Sequence, residues 1–217
     1  MRKPQKKKMS SKMDKKTRDY YLSCGIKLSW HDKSLDDFTN DRKVLLRVKD
    51  YLSKLDEAKK KGIGLFLWGA NGCGKTHLMN CAFKELIEKR QRVHIFSLDE
   101  IVDKFTAGWY SDEVKQELTH TLYSADFIGI DEFGKNIDKD GNAKYLPDLV
   151  KRVMDSVIRY RVQMKKPIWF TSNTSPSNVK KVFSEDVASL LKEAVIAIQV
   201  TGEDYRSIIQ KANKDFV

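Results

Sequence analysis

"FLWGANGCGKTHLMNCAF", residues 66–83, runs from an apolar stretch into a glycine-rich loop and then into residues with helical spacing. Within it, Gly69, Ala70, Asn71, Gly72, Cys73, Gly74, Lys75 and Thr76 fit the pattern G-x-x-x-x-G-K-[ST]. The preceding strand and following helix are the context that gives this pattern meaning. Glycines let successive backbone N–H groups turn inward onto phosphate oxygens, and the helix N-terminus adds its partial positive charge. Lys75 supplies a point charge to the β and γ phosphates, and Thr76 a hydroxyl to Mg²⁺. His77, next along, is taken with the loop as a candidate contact.

Outward from the loop, apolar runs alternate with helical ones. "GLFLWG" (64–69), "RVHIFSL" (92–98), "DFIGIDEF" (126–133), "PIWFTSN" (167–173) and "VIAIQV" (195–200) read as strands. Between them, 77–90, 99–108, 111–122, 146–164, 177–183 and 186–194 read as helices, with "DYRSIIQKANKDF" a last one. Ser111 is a candidate N-cap, with Asp112 and Glu113 in the first turn, and Pro147 suits a helix start. Strands alternating with helices predict an α/β fold: a five-stranded parallel sheet flanked by helices. Upstream, Val44, Leu45, Val48, Tyr51, Leu52 and Leu55 mark one apolar face of a helix over 41–61, closed by Gly62.

The strand "DFIGIDEF" ends in two acids. Asp131 is placed to hold Mg²⁺ through its water shell, and Glu132 to polarise an attacking water. Nucleotide kinases usually lack such a pair, so Glu132 points to hydrolysis. "PIWFTSN" ends in Thr171, Ser172 and Asn173, and Asn173 offers an amide between the γ-phosphate and the water.

Of 217 residues, 33% are charged and 41% hydrophobic, which suits a globular domain with a sizeable core. The net charge of +11 is unevenly placed. Residues 1–18 carry nine basic side chains against Asp14, or +8, leaving +3 for the rest. The basic character therefore belongs to a tail, suited to nucleic acid or an acidic surface or simply solvated. No apolar run approaches the ~20 residues of a membrane helix, and the charged N-terminus lacks the apolar region of a secretory signal. Cys24, Cys73 and Cys81 are too scattered for a zinc site or a disulfide framework, so a reducing, cytoplasmic setting is expected.

The strings "GANGCGKTHL", "DFIGIDEFG", "RYRVQMKKPIWFTSNTSP" and "GEDYRS", with the lead-in "GIKLSWHDKSLDDF", resemble the AAA+ P-loop ATPases. Within them the chain is most similar to the helicase-loader clade of DnaC and DnaI type, close to IstB-type transposition ATPases. The resemblance spans about residues 25 to 210. It implies an AAA+ core over 62–217 with a small or absent C-terminal lid; ahead of it, composition and apolar spacing give a basic disordered tail over 1–18 and a lead-in segment with a helix over 19–61. It implies ATP and Mg²⁺ as ligands, oligomers with ATP at subunit interfaces, single-stranded DNA and a replicative hexameric helicase as partners. In the family an extra helix after the second strand contacts DNA, which here directs attention to Lys104, Phe105, Trp109 and Tyr110, a cation with aromatic faces.

One departure bears on activity. The family's arginine pattern before the last strand aligns with "DVASLL", so Asp186 and Leu190 stand where arginines are expected. Arg159 or Arg161, or else Lys192, is left to act in trans, and Arg206 in "GEDYR" to reach the γ-phosphate from its own subunit. An arginine finger is worth roughly 10³-fold or more in rate, so hydrolysis is expected to be slow or partner-stimulated. The segment ahead of the core is short, so helicase docking falls to the tail, the first helix or the core. Three alternatives stand beside the loader reading: a transposition-type regulator, a kinase (which "IDEFG" and "TSN" oppose), and an ATP switch that hydrolyses weakly. The stretch "KNIDKDGNAKY" after the acidic strand reads as a polar turn.

Overall fold

A computed structural model of the chain describes residues 13–108, 111–135, 148–181 and 183–205. The candidates Trp109, Tyr110 and Arg206, the polar turn over 136–145, Pro147, the first twelve residues of the tail and all but the start of the last helix lie outside the described residues.

The elements follow the chain as α1 (Lys15–Ser23), α2 (Arg42–Ser53), α3 (Leu55–Lys61), β1 (Gly64–Trp68), α4 (Lys75–Glu88), β2 (Val93–Ser97), α5 (Leu98–Ala107), α6 (Asp112–Ser124), β3 (Phe127–Asp131), α7 (Asp148–Gln163), β4 (Ile168–Ser172), α8 (Glu185–Ala194) and β5 (Val195–Gln199). Short 3₁₀ turns at Leu28–Trp30, Leu35–Asp37 and Pro176–Lys181 join them. The last replaces the helix expected over 177–183.

Local chemistry sets several boundaries. Asp14 accepts from Thr17 N at 2.9 Å and starts α1 at Lys15, inside the stretch expected to be a disordered tail. Asp41 caps α2, Ser111 caps α6 through Val114 N, and Ser184 caps α8. The single helix expected over 41–61 is two, because Lys54 leaves helical geometry (ψ 29°) and the chain restarts at Leu55. Gly62 then closes α3 in the left-handed region at φ 72°.

The strands form one parallel sheet in the order β2-β3-β4-β1-β5. Their side chains alternate between its faces. Leu65, Leu67, Ile95, Phe127, Trp169 and Ile198 join one core with α1–α4. Phe66, Phe96, Ile128, Ile130, Ile168 and Phe170 join a second core with α5–α8. Burial on both faces is why these strands read as continuous apolar runs. Cys24 O accepts from Ile95 N at 2.9 Å, so the chain after α1 covers the outer edge of β2.

This winding fixes where a ligand fits. From β1 the chain crosses by α4 on one face to the far edge. All later crossovers use the other face. Connections therefore diverge between β1 and β4 and leave a crevice at their carboxyl ends, the place where open α/β sheets bind ligands.

Candidate active site

The glycine loop joins β1 to α4 at that crevice. Gly69, Gly72 and Gly74 have φ of 154°, 76° and 100°. Close approach also excludes a larger residue: a Cβ on Gly69 would lie 2.1 Å from Val200 O, and one on Gly74 2.6 Å from the Phe38 ring. Lys75 begins α4 and is 7% exposed, its ammonium donating to Gly69 O at 2.9 Å and Ala70 O at 2.6 Å. The cation is thus already held over the loop, where arriving phosphate oxygens would exchange with those carbonyls. Cys73 is fully buried under it, and Ala70 and Asn71 complete the turn.

Thr76, one residue into α4, donates through Oγ1 to Asp131 Oδ1 at 3.0 Å. The two candidate Mg²⁺ ligands, 55 residues apart in the chain, therefore meet. A hydroxyl and a carboxylate are hard oxygen donors of the kind Mg²⁺ takes when phosphates complete its shell. The Thr171 hydroxyl donates to the same Asp131 oxygen and accepts from Glu132 N at 3.0 Å. Thr171 was expected only as a strand end. Its buried hydroxyl orients both acids, a role that becomes visible once β3 and β4 are paired.

Glu132 has φ 58°, an uncommon conformation for a non-glycine residue that costs on the order of 1–2 kcal/mol. Phe133 holds it there. Phe133 N donates to Thr171 O at 2.8 Å, and its ring stacks on Phe183 at 4.7 Å and leans on Phe170 at 4.6 Å. With Phe133 anchored in the core, the Glu132 carboxylate turns outward, 56% exposed and 4.0 Å from Lys135 Nζ, which also pairs with Asp99. Asn173 follows β4, exposed, between the β1 loop and the end of β3.

Other candidates are placed differently. His77 turns to the lead-in, its Nε2 donating to Ser34 O at 2.8 Å and its ring beside Trp30 and Phe38. Arg161, one of two candidates for a trans arginine, is fully buried. Its guanidinium donates to Leu122 O, Ala125 O, Asp126 O and Pro167 O at 2.9–3.2 Å, tying α6 to the entries of β3 and β4. A side chain so committed does not reach a neighbouring subunit. Arg159 remains on the surface, bonded to Asp155 at 2.9 Å and to Asp186 at 3.2 Å. Lys192 lies in the last turn of α8. Phe105 packs against the second core, and Lys104 pairs with Glu100 at 3.3 Å and sits 5.8 Å from the Phe96 ring. Phe105 is therefore half-buried, and Lys104 keeps 38% of its side chain exposed.

The lead-in and the loop after β5 also reach the glycine loop. Asn40 Nδ2 donates to Cys73 O at 3.2 Å and to Glu203 O at 3.0 Å. Tyr205 N donates to Gly72 O at 3.2 Å, and the Asp204 carboxylate lies where a Gly72 Cβ would be. Phe38 ends the lead-in string and Asp204 lies in "GEDYR", but neither they nor Asn40 stand out as site residues in the sequence, and only folding brings the three to the loop. A groove of 570 Å³ lined by Tyr51, Leu65, Ile196 and Ile198 lies beside β5, and none of the site residues lines it. Among the described residues no helix is long and apolar enough to cross a membrane, and no three metal-ligating side chains cluster.

A family model of the AFG1-like ATPases matches residues 30–216. The replicative helicase loader DnaI of Bacillus subtilis is 27% identical over 137 residues, which are 63% of this chain and 41% of DnaI. Among solved structures, the DnaC helicase loader superposes with a TM-score of 0.69 at 19% identity, covering 81% of this chain and all of that one. The replication initiator DnaA, bound to AMPPCP and single-stranded DNA, superposes at 0.65 and 18% identity, over 88% of this chain and 56% of that one. These structural likenesses establish the AAA+ fold. The chain spans less than half the length of the DnaI it matches.

Proposed function

We propose, for a chain that belongs to the AFG1-like ATPase family, that it hydrolyses ATP to load a replicative helicase onto single-stranded DNA. The observation that carries the hydrolytic part is the junction of Thr76, Asp131 and Thr171 at the mouth of the glycine loop, with Glu132 strained outward beside it. Mg²⁺ held by Thr76 and Asp131 would neutralise charge on the β and γ phosphate oxygens. Lys75 draws the same oxygens toward the loop. Glu132 accepts a proton from the water that attacks the γ-phosphorus, and Asn173 orients that water.

The loader part rests on the likeness to DnaI and on the fold shared with DnaC. DNA contact is assigned to Lys104 and Phe105 of α5, with Trp109 and Tyr110, which lie outside the described residues; Lys104 is the partly exposed cation. The subunits are proposed to assemble with ATP at their interfaces. Arg159 is the candidate to reach a neighbour's ATP, but Asp155 and Asp186 hold it within its own subunit. With Asp186 and Leu190 where the family's arginines are expected, hydrolysis is proposed to be slow until assembly or a partner completes the site, the weakly hydrolysing switch being the limiting form.

The test is a mass measurement of the full chain with ATP, with and without single-stranded DNA and a hexameric replicative helicase. ATP-dependent assembly that captures the helicase is expected. Stable binding to a transposase and none to the helicase would replace the loader reading by the transposition one.

A further inference from the structure

The turns over 57–63, 88–92, 124–126 and 161–167 lead into β1, β2, β3 and β4, and the sheet order sets their entries side by side at the end opposite the glycine loop. At about 4.8 Å between neighbouring strands, these entries span roughly 15 Å. The turns also touch one another. Lys59 Nζ donates to Gln91 Oε1 at 2.6 Å, Arg92 pairs with Asp126 at 3.3 Å, and Lys166 Nζ donates to Ser124 O at 3.1 Å. A Cβ on Gly62 would lie 2.6 Å from Lys165 Cα. Apart from the buried Arg161, the turns carry eight cations: Lys59, Lys60, Lys61, Lys89, Arg90, Arg92, Lys165 and Lys166. Against Glu57, Glu88 and Asp126 they leave a local charge of +5, more than the +3 of residues 19–217 as a whole. Lys60, Lys89, Arg90 and Lys165 are exposed, and their side chains make no ion pair or hydrogen bond among the described residues.

Three of these turns are one motif. Ile63 N donates to Ala58 O at 3.0 Å, Gln91 N to Leu86 O at 3.0 Å and Lys166 N to Arg161 O at 2.8 Å, each bond reaching back five residues. Such a turn closes a helix with one residue in the left-handed region. Before β1 that residue is Gly62, at φ 72°; before β2 it is Arg90, at 59°, and before β4 it is Lys165, at 51°. Glycine adopts this conformation freely, whereas a residue with a Cβ costs about 1–2 kcal/mol. A cation near a helix C-terminus recovers about 0.3–1 kcal/mol, and repulsion from the neighbouring cations works against even that. Folding alone therefore favours glycine at 90 and 165, and the two charges stand there against stability.

The chemistry of the turns selects the partner. They hold no aromatic residue to stack on an unpaired base, which argues against a single strand. Met164 is their one large exposed apolar side chain, too little for the apolar centre of a protein interface. Unpaired lysines and arginines spread over a distance like the ~12 Å width of a major groove match phosphates alone. We propose that this pole binds the phosphodiester backbone of duplex DNA, without regard to base sequence and apart from both the nucleotide site and α5.

The experiment is an anisotropy titration of a short labelled DNA duplex with the full-length chain over a range of salt concentrations. Arg90→Gly with Lys165→Gly removes two cations and relieves both turns. It is expected to weaken duplex binding about tenfold or more and to reduce the slope of log Kd against log salt by about two. The urea midpoint should not fall and ATP turnover should not change. The basic residues over 1–18 are the same in both chains, so the difference reports the pole. Should that double variant not fold, Lys60→Gln with Lys89→Gln reads the same loss and leaves the left-handed residues in place. Two duplexes of unrelated sequence, a single-stranded oligonucleotide of the same length and poly-glutamate complete the comparison. Unchanged duplex affinity and slope in the variant that folds overturns the inference. So does a loss that depends on which duplex is used, or a weakening of the single strand or poly-glutamate that equals or exceeds that of the duplex.

Discussion

At the scale of single residues, the site is a matter of which oxygens share protons. Glu132 owes its outward aim to a strained backbone anchored by Phe133, so removing its charge should leave the fold and nucleotide binding intact. Glu132→Gln is expected to lower phosphate release by roughly 10²-fold or more with ATP still bound, read by turnover and by equilibrium binding side by side. Thr171 supports both acids through one hydroxyl. Thr171→Val, near in shape, should cut turnover about tenfold and raise the Mg²⁺ concentration needed for half-maximal rate. Unaltered Mg²⁺ dependence would remove Thr171 from the site. A largely buried histidine contributes to the acid side of stability. His94 stacks on Phe96 at 4.0 Å, and its Nε2 finds no hydrogen-bond partner among the described residues. Burial, with Lys104 nearby, pushes its pKa down from 6.5 to about 4. The unfolded chain therefore binds the extra proton first. The stabilising effect of a neutral His94 is complete above about pH 6.5 and is lost as pH falls toward about 4, by at most about 3 kcal/mol. Urea unfolding of His94→Phe should show a shallower decline than wild type across that window.

At the scale of elements, strand and helix positions were largely legible because polarity and capping are local properties. Ser111 caps α6 as its side chain predicts, and Gly62 ends α3 because a left-handed residue is needed there. A Cβ on Gly62 would also lie 2.6 Å from Lys165 Cα, so Gly62→Ala should destabilise by about 1–2 kcal/mol, measured as a lowered urea midpoint with unchanged slope. The break between α2 and α3 was not legible. It falls at Lys54, a good helix former, and the buried positions Tyr51, Leu52, Leu55 and Ala58 continue on both sides of it. The early start of α1 was hidden for the opposite reason. A run of lysines reads as tail, and only the Asp14 cap and the packing of Tyr21 into the first core show that the last of them are helical.

At the scale of the molecule, nucleotide binding should couple to stability, since the loop is joined to the lead-in through Asn40 and to the chain after β5 through Tyr205. ATP with Mg²⁺ at about 100 times its Kd should add about 2.7 kcal/mol to unfolding, seen as a raised melting temperature. Lys75→Ala should abolish that shift, because it removes a charged donor from the phosphate contact. A melting temperature raised equally in Lys75→Ala would place the nucleotide elsewhere. The sequence by itself determined the glycine loop between strand and helix, the strand that ends at Asp131 with Glu132 following it, and the alternation that makes a parallel sheet. Each is written in a few adjacent residues, where backbone freedom, charge and apolar spacing act. Only the tertiary structure decided that Arg161 turns inward to four carbonyls, that Phe105 packs against the core, that His77 and Lys84 hold the lead-in, and that Phe38 and Asn40 meet the loop while Thr171 joins the two acids. Those outcomes depend on which distant segments the sheet order brings together, and a side chain's partner across the fold leaves no mark in its immediate neighbours.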